Sequence, residues 1–234
     1  FFNRKGDGGT IISLRQANTE QGTISVSGST IAYNTFTGTH WSRLADNSKP
    51  TILKGTVMES LDAMVDWYNL EFDVITQDDD GNDVTTSKAI PHVLLDSQSV
   101  GDEITYDHNG TDVTATIVKE GDVKHVQTKI SATDESKNVY GVFFDWDDND
   151  GDEGYNDMII AAVGTYVVRI KSGQTVAKGD LLQSNGDGTA KVLDGSTSIT
   201  ANVLSTVFAK VLSNTKVETY ADGSFIVPCA FTNC

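Results

Sequence analysis

The sequence predicts an all-β protein, and three observations carry that expectation. Valine, isoleucine and threonine make up more than a quarter of the 234 residues; β-branched side chains are stiff in helices but pack well on a pleated surface. Short stretches alternate apolar and polar residues with a period of two. Glycine (21 residues) and aspartate punctuate these stretches, with only 3 prolines, as expected of many short strands joined by tight turns. The expected architecture is a strand-rich stem over residues 1–34, an irregular junction over 35–50 and a β-sandwich or barrel-like C-terminal domain over 51–234. That domain divides into 51–138 and 139–234, with at most one or two short helices.

In the stem, Thr10–Leu14 reads as a strand. Residues 22–28 alternate with Ile24 and Val26 on one face, and 29–33 continue with Ile31 and Tyr33 on one face. Three short strands bury too little surface to close a core of their own. Their apolar faces therefore need cover, either from the next domain or from further copies of the chain, and homo-oligomerisation is expected. The junction is rich in small polar residues and contains His40, Trp41 and Pro50.

Thr51–Met58 reads as a strand. Met58, Leu61, Met64, Val65 and Tyr68 recur near helical spacing, so Glu59–Tyr68 reads either as a short helix or as a continuation of the strand. Residues 71–130 alternate strands with acidic turns, at Asp78–Asp83 and at Asp107–Asp112, each containing a hairpin-type Asp-Gly or Asn-Gly pair. Val139–Trp146 is apolar and aromatic. Alternation there puts Phe144 and Trp146 on an inward face and Phe143 with Asp145 on the other. Asp157–Ile170 reads as two strands around Gly164, and residues 179–192 as a hairpin around Asn185-Gly-Asp-Gly188. Strands at Leu204–Leu212 and Gly223–Ala230 follow.

Thirty-three acidic side chains against 17 basic ones give a net charge of −16. A nucleic-acid binder needs the opposite balance to displace counterions from phosphates, and an anionic membrane surface disfavours such a chain equally. No apolar run approaches the roughly 20 residues that span a bilayer. The opening Phe1-Phe2-Asn3-Arg4 lacks an initiator Met and reads as a piece of something longer, with no secretory leader. Cys229 and Cys234 cluster at one end, unlike a disulfide scaffold, and read as free thiols, with a local or inter-chain bridge as the alternative.

Two stretches resemble known proteins. Gly28-Ser-Thr-Ile-Ala-Tyr-Asn34, followed by a Thr/Gly/Ser junction ending in Arg43-Leu44, resembles the lead-in from bacteriophage tail-fibre and tail-spike stems into the endosialidase-type intramolecular chaperone domain. In that family a Ser-Asp cleavage junction precedes Arg-Leu-Lys; here His40-Trp41-Ser42 stand before Arg43-Leu44, and Ala45 replaces the Lys. Val139-Tyr-Gly-Val142, Val163-Gly-Thr-Tyr-Val-Val168 and Lys178-Gly-Asp-Leu-Leu-Gln-Ser-Asn-Gly-Asp-Gly-Thr-Ala-Lys191 are similar to the C-terminal domain of self-cleaving neck-appendage and marine phage fibre proteins. The resemblance covers about half the chain. It implies a homotrimeric virion fibre, assembled in the host cytoplasm, that contacts other tail proteins and a host-surface glycan or protein. Some relatives cut themselves after folding, an acyl transfer that needs a nucleophile, a base and an oxyanion site. Here the only local pair is His40 and Ser42, which an extended segment would place on one side; ordinary hydrogen bonding at a junction is the plainer reading of both.

The acidic run Asp145–Asp157 suggests a hard cation, above all Ca²⁺. Starting a calcium loop at Asp148 puts Asp150 and Asp152 at the third and fifth positions. Glu153 then stands where the turn glycine belongs and Ile159 where the closing carboxylate belongs. A solvated acidic loop is the competing reading, and a calcium-stabilised adhesion module the corresponding alternative function. His40, His92, His108 and His125 show no metal-ligand spacing. Phe143, Phe144, Trp146 and Tyr155 are either a sugar-stacking surface or core.

Overall fold

The computed structural model of the chain describes residues 9–16, 19–27, 30–34, 37–78, 80–147 and 154–232. These residues are nearly all β, as the composition predicts, with one short helix. Strands β1 (Gly9–Gln16), β2 (Thr19–Ser27) and β3 (Thr30–Asn34) form an antiparallel sheet of their own. The register sets Ile12 opposite Ile24 and Val26 opposite Ile31. Side chains two apart share a face, so Ile12, Leu14, Ile24, Val26 and Ile31 form one apolar surface. Leu14 and Ile31 are each 56% exposed.

The remaining strands form one large sheet that folds on itself twice. In chain order they are β4 (Thr37–Arg43), β5 (Val57–Gln77), β6 (Asp83–His92), β7 (Glu103–His108), β8 (Thr111–Ile130), β9 (Val139–Trp146) and β10 (Asp157–Ile170). Then come β11 (Leu181–Ser184), β12 (Ala190–Val192), the helix α1 (Ala201–Leu204), β13 (Val207–Val211), β14 (Glu218–Thr219) and β15 (Phe225–Phe231). The second half of β10 pairs with β15 and, at Ile170, with β12. With β11 and β13 between them, these strands close a five-stranded barrel. Its core contains Val168, Ile170, Leu182, Phe208, Phe225 and Val227. Cys229 lies in the same core, where burial pushes its thiol up to about 12; Cys234 lies outside the described residues.

The first half of β10 pairs instead with β9 and β4. Gly164, at φ 89°, stands where the partners change. Thus the two strands expected around Gly164 are one continuous strand serving two cores. β9 passes to β5 and β5 to β8, and β4 meets β8 through a Leu44–Thr128 bridge. These five strands surround Ile52, Met58, Phe143, Met158 and Ile160. Beyond them β6, β5, β8 and β7 extend as a four-stranded arm with its own apolar face of Leu70, Phe72, Ala115 and Ile117.

Several expectations are refined or corrected. Residues 37–43 are a strand rather than an irregular connector, because their buried polar side chains find partners on β8 and β10. Of the two readings of residues 59–68, the continued strand is the one observed and the helix is not. Register shifts between Ser60 and Met64, and again before Asp66, reset the alternation and leave apolar residues at quasi-helical intervals. In β9 a bulge opposite Ile159–Ile160 breaks strict alternation. Phe143 and Trp146 therefore share one core, ring centroids 5.5 Å apart, while Phe144 stacks on Tyr166 in the other at 4.7 Å. The strand expected over residues 51–58 begins only at Val57. Ahead of it a turn carries Gly55 at φ 78°.

Candidate functional site

The most developed polar constellation lies where β4, β5, β8 and the start of β10 converge. Arg43 ends β4 and is 5% exposed. Its Nε donates to Asp157 Oδ1 at 2.6 Å, and its Nη1 to the Asp66 carbonyl at 2.8 Å. The guanidinium lies over the Tyr155 ring at 4.1 Å and near the Trp67 ring at 5.4 Å, a doubly flanked cation–π arrangement. Trp67 Nε1 donates to the other carboxylate oxygen of Asp157 at 3.0 Å, so the buried anion is satisfied by two separate donors. The Tyr155 hydroxyl donates to the His92 carbonyl and accepts from the Tyr68 N–H at 3.0 Å. Burial raises the Tyr155 hydroxyl above its ordinary value, with the Tyr68 N–H and Arg43 acting the other way.

This cluster lines a cavity of about 290 Å³ whose walls include Arg43, Asp66, Tyr68, Leu94, Gln127 and Tyr155. On its rim Asp66 pairs with Lys119 at 2.8 Å. Asn47, in a left-handed conformation at φ 53°, braces the start of β10. Its carboxamide accepts from the Asn156 N–H at 2.9 Å and donates to the Gly154 carbonyl at 2.8 Å. The sequence marks Arg43 only as part of Arg43-Leu44; nothing local to it signals Asp157, Trp67 and Tyr155, which come from other strands.

The residues singled out by sequence fall as follows. Ser42 is fully buried; its hydroxyl donates to the Val126 carbonyl at 2.7 Å and lies 3.0 Å from Thr128 Oγ1. His40 is exposed, its ring 5.9 Å from that of Tyr140. The two therefore occupy different surroundings, although both lie on β4. Asp148, Asp150 and Asp152 lie outside the described residues. Among the described residues, no group of three or more His, Cys, Asp or Glu side chains is placed to hold a metal ion. His92 bonds Gln98 at 2.8 Å, His108 packs near Phe72 at 5.0 Å and His125 near Trp41 at 5.8 Å. The four aromatics do not form one stacking surface, since Phe143 and Phe144 enter different cores and Tyr155 covers Arg43.

One buried carboxylate outside this cluster is structural. Glu59, on β5, accepts from the Ser131 hydroxyl at 2.7 Å, the Thr133 N–H at 3.1 Å and Lys129 Nζ at 3.2 Å. Burial pushes its carboxyl up, but these donors together hold it below its ordinary 4.5. A group lowered on folding contributes stability above its ordinary value and loses it as pH falls through the folded one. Glu59→Gln is expected to cost about 1–3 kcal/mol at neutral pH. The gap to the parent protein should narrow as pH falls below the ordinary 4.5 and through the lower folded value. Denaturant titrations at stepped pH measure both; a gap that stays constant into acid contradicts the assignment.

The described residues contain no helix long and apolar enough to cross a membrane. Compared with family models, with curated proteins and with solved structures, the chain matches none.

Proposed function

We propose that this chain is a structural virion protein, the distal part of a bacteriophage tail fibre or tail spike, working as a homotrimer. The observation that carries the reading is the N-terminal sheet. Ile12, Leu14, Ile24, Val26 and Ile31 share one of its faces, with Leu14 and Ile31 more than half exposed in the single chain. Contiguous apolar surface of this kind marks an association site, and sister copies wound about a common axis would cover it. The resemblance of residues 28–44, 139–142, 163–168 and 178–191 to phage fibre and appendage proteins supplies the biological setting and the three-fold symmetry. Attachment to a host surface and contact with other tail proteins belong to the same reading.

Native mass spectrometry of the chain tests it. The expected mass is three times the 25.2 kDa of one copy. The paired substitution Leu14→Asp and Ile31→Asp should release folded monomer with an unchanged β circular-dichroism signature. A parent protein that stays monomeric and folded at micromolar concentration overturns the proposal.

A further inference from the structure

We infer that a cavity beside α1 binds a carboxylate with an apolar tail, a medium-chain aliphatic acid. At about 500 Å³ it is larger than the one beside Arg43, and it falls within the usual size of ligand pockets, about 300–1,000 Å³. It opens where the connection before β9, the starts of β9, β11 and β13, and the end of α1 meet. Val139, Leu181, Leu204, Val207 and Phe208 supply its apolar lining. Leu204 is 51% exposed, so a tail lying against it would remove apolar surface from water.

The polar groups around the cavity narrow the headgroup. The Ser205 and Thr206 hydroxyls are spent inside the protein, donating to the Asn202 carbonyl at 2.8 Å and the Val203 carbonyl at 2.7 Å. Lys137 is different. It lines the cavity from the connection before β9, and its Nζ donates to Asn202 Oδ1 on α1 at 3.0 Å. The ammonium is thus held between two segments that both border the cavity. An ammonium has three N–H donors, and this bond takes one. Lys137 is exposed, so its other donors are open to an arriving ligand. Among the described residues no carboxylate pairs with it.

Local charge admits an anion here despite the −16 of the whole chain. The carboxylates nearest in sequence, Asp134 and Glu135, are both held by Lys191, at 2.7 Å and 3.1 Å. With Lys137 these four charges cancel, and salt screens exposed charges more than about 10 Å away. A carboxylate therefore meets an ammonium that has no ion-pair partner, and its tail meets the apolar lining beside it.

The site goes beyond the fibre reading. None of its residues lies in the N-terminal sheet, and its failure would leave the expected trimer mass untouched. Saturation-transfer NMR on the full chain with sodium octanoate, 1-octanol and sodium acetate is the test. Octanoate should bind saturably with a dissociation constant of about 1 mM, and acetate, lacking the tail, should not bind. Octanoate should bind at least as tightly as 1-octanol, whereas a cavity without a cation would prefer the alcohol because a carboxylate is costlier to desolvate. Lys137→Met should weaken octanoate about fivefold, the upper end for an exposed ion pair, and leave 1-octanol unchanged. Leu204→Ser should weaken both. Each replaced side chain is exposed, so both variants should keep the parent melting temperature. Absence of saturable octanoate binding, tighter binding of 1-octanol, binding of acetate, or undiminished octanoate binding by either variant would each overturn the inference.

Discussion

Arg43→Met is expected to lower the unfolding free energy by about 3–5 kcal/mol, the range measured when one partner of a buried ion pair is removed. The substitution keeps an unbranched apolar stem but strips the Asp157 carboxylate of its guanidinium. Asp157 then sits buried with the Trp67 indole as its remaining side-chain donor. The loss should shrink when Asp157→Leu is added, because an apolar pair in place of a buried ion pair is often neutral or better. Chemical denaturation of the two single variants, the double variant and the parent protein gives the cycle. A single-variant loss below about 1 kcal/mol, as for a surface pair, would show that the buried pair does not hold β4 onto β10.

Gly141→Ala should cost about 3 kcal/mol, the upper part of the range for overpacking. Gly141 lies on β9 opposite Met58 of β5. A Cβ built there meets the Ala161 carbonyl oxygen at 2.4 Å and Ile160 Cγ2 at 2.8 Å. The obstructing atom is backbone on the strand shared by both cores, so it cannot swing aside like the tip of a side chain. Gly195→Ala is the matched control, since a Cβ at that position meets nothing within 4 Å. It should fall within about 0.5 kcal/mol of the parent protein. Equal melting temperatures for the two variants would refute the crowding argument.

Period and turn chemistry carry far in this chain. The alternation of 22–33 yields β2 and β3. The Asp78–Asp83, Asn109-Gly110 and Asn185–Gly188 turns each join strands, with Asn109 and Gly110 both at positive φ. Alternation fails where the ladders slip: the shifts in β5 imitate a helix, and the bulge in β9 exchanges the faces of Phe144 and Phe143. It also fails in β4, whose buried side chains are Ser42 and Arg43. A polar residue is buried when something distant satisfies it, and Val126, Asp66 and Asp157 are 84, 23 and 114 positions away. The cavity escaped notice for the same reason, being built from β4, β5, β8 and the residues before β10.

The rungs of β10 have a bearing on protein engineering. Thr37 pairs with Gly164, and Ala230 with the next residue, Thr165. Paired Cα atoms lie about 5 Å apart and successive ones about 3.8 Å. The chain thus enters and leaves its larger body through doorways no more than about 15 Å apart. Such a body has the shape of a cassette: residues 37–231 could be spliced into a surface loop of an unrelated scaffold without stretching either splice.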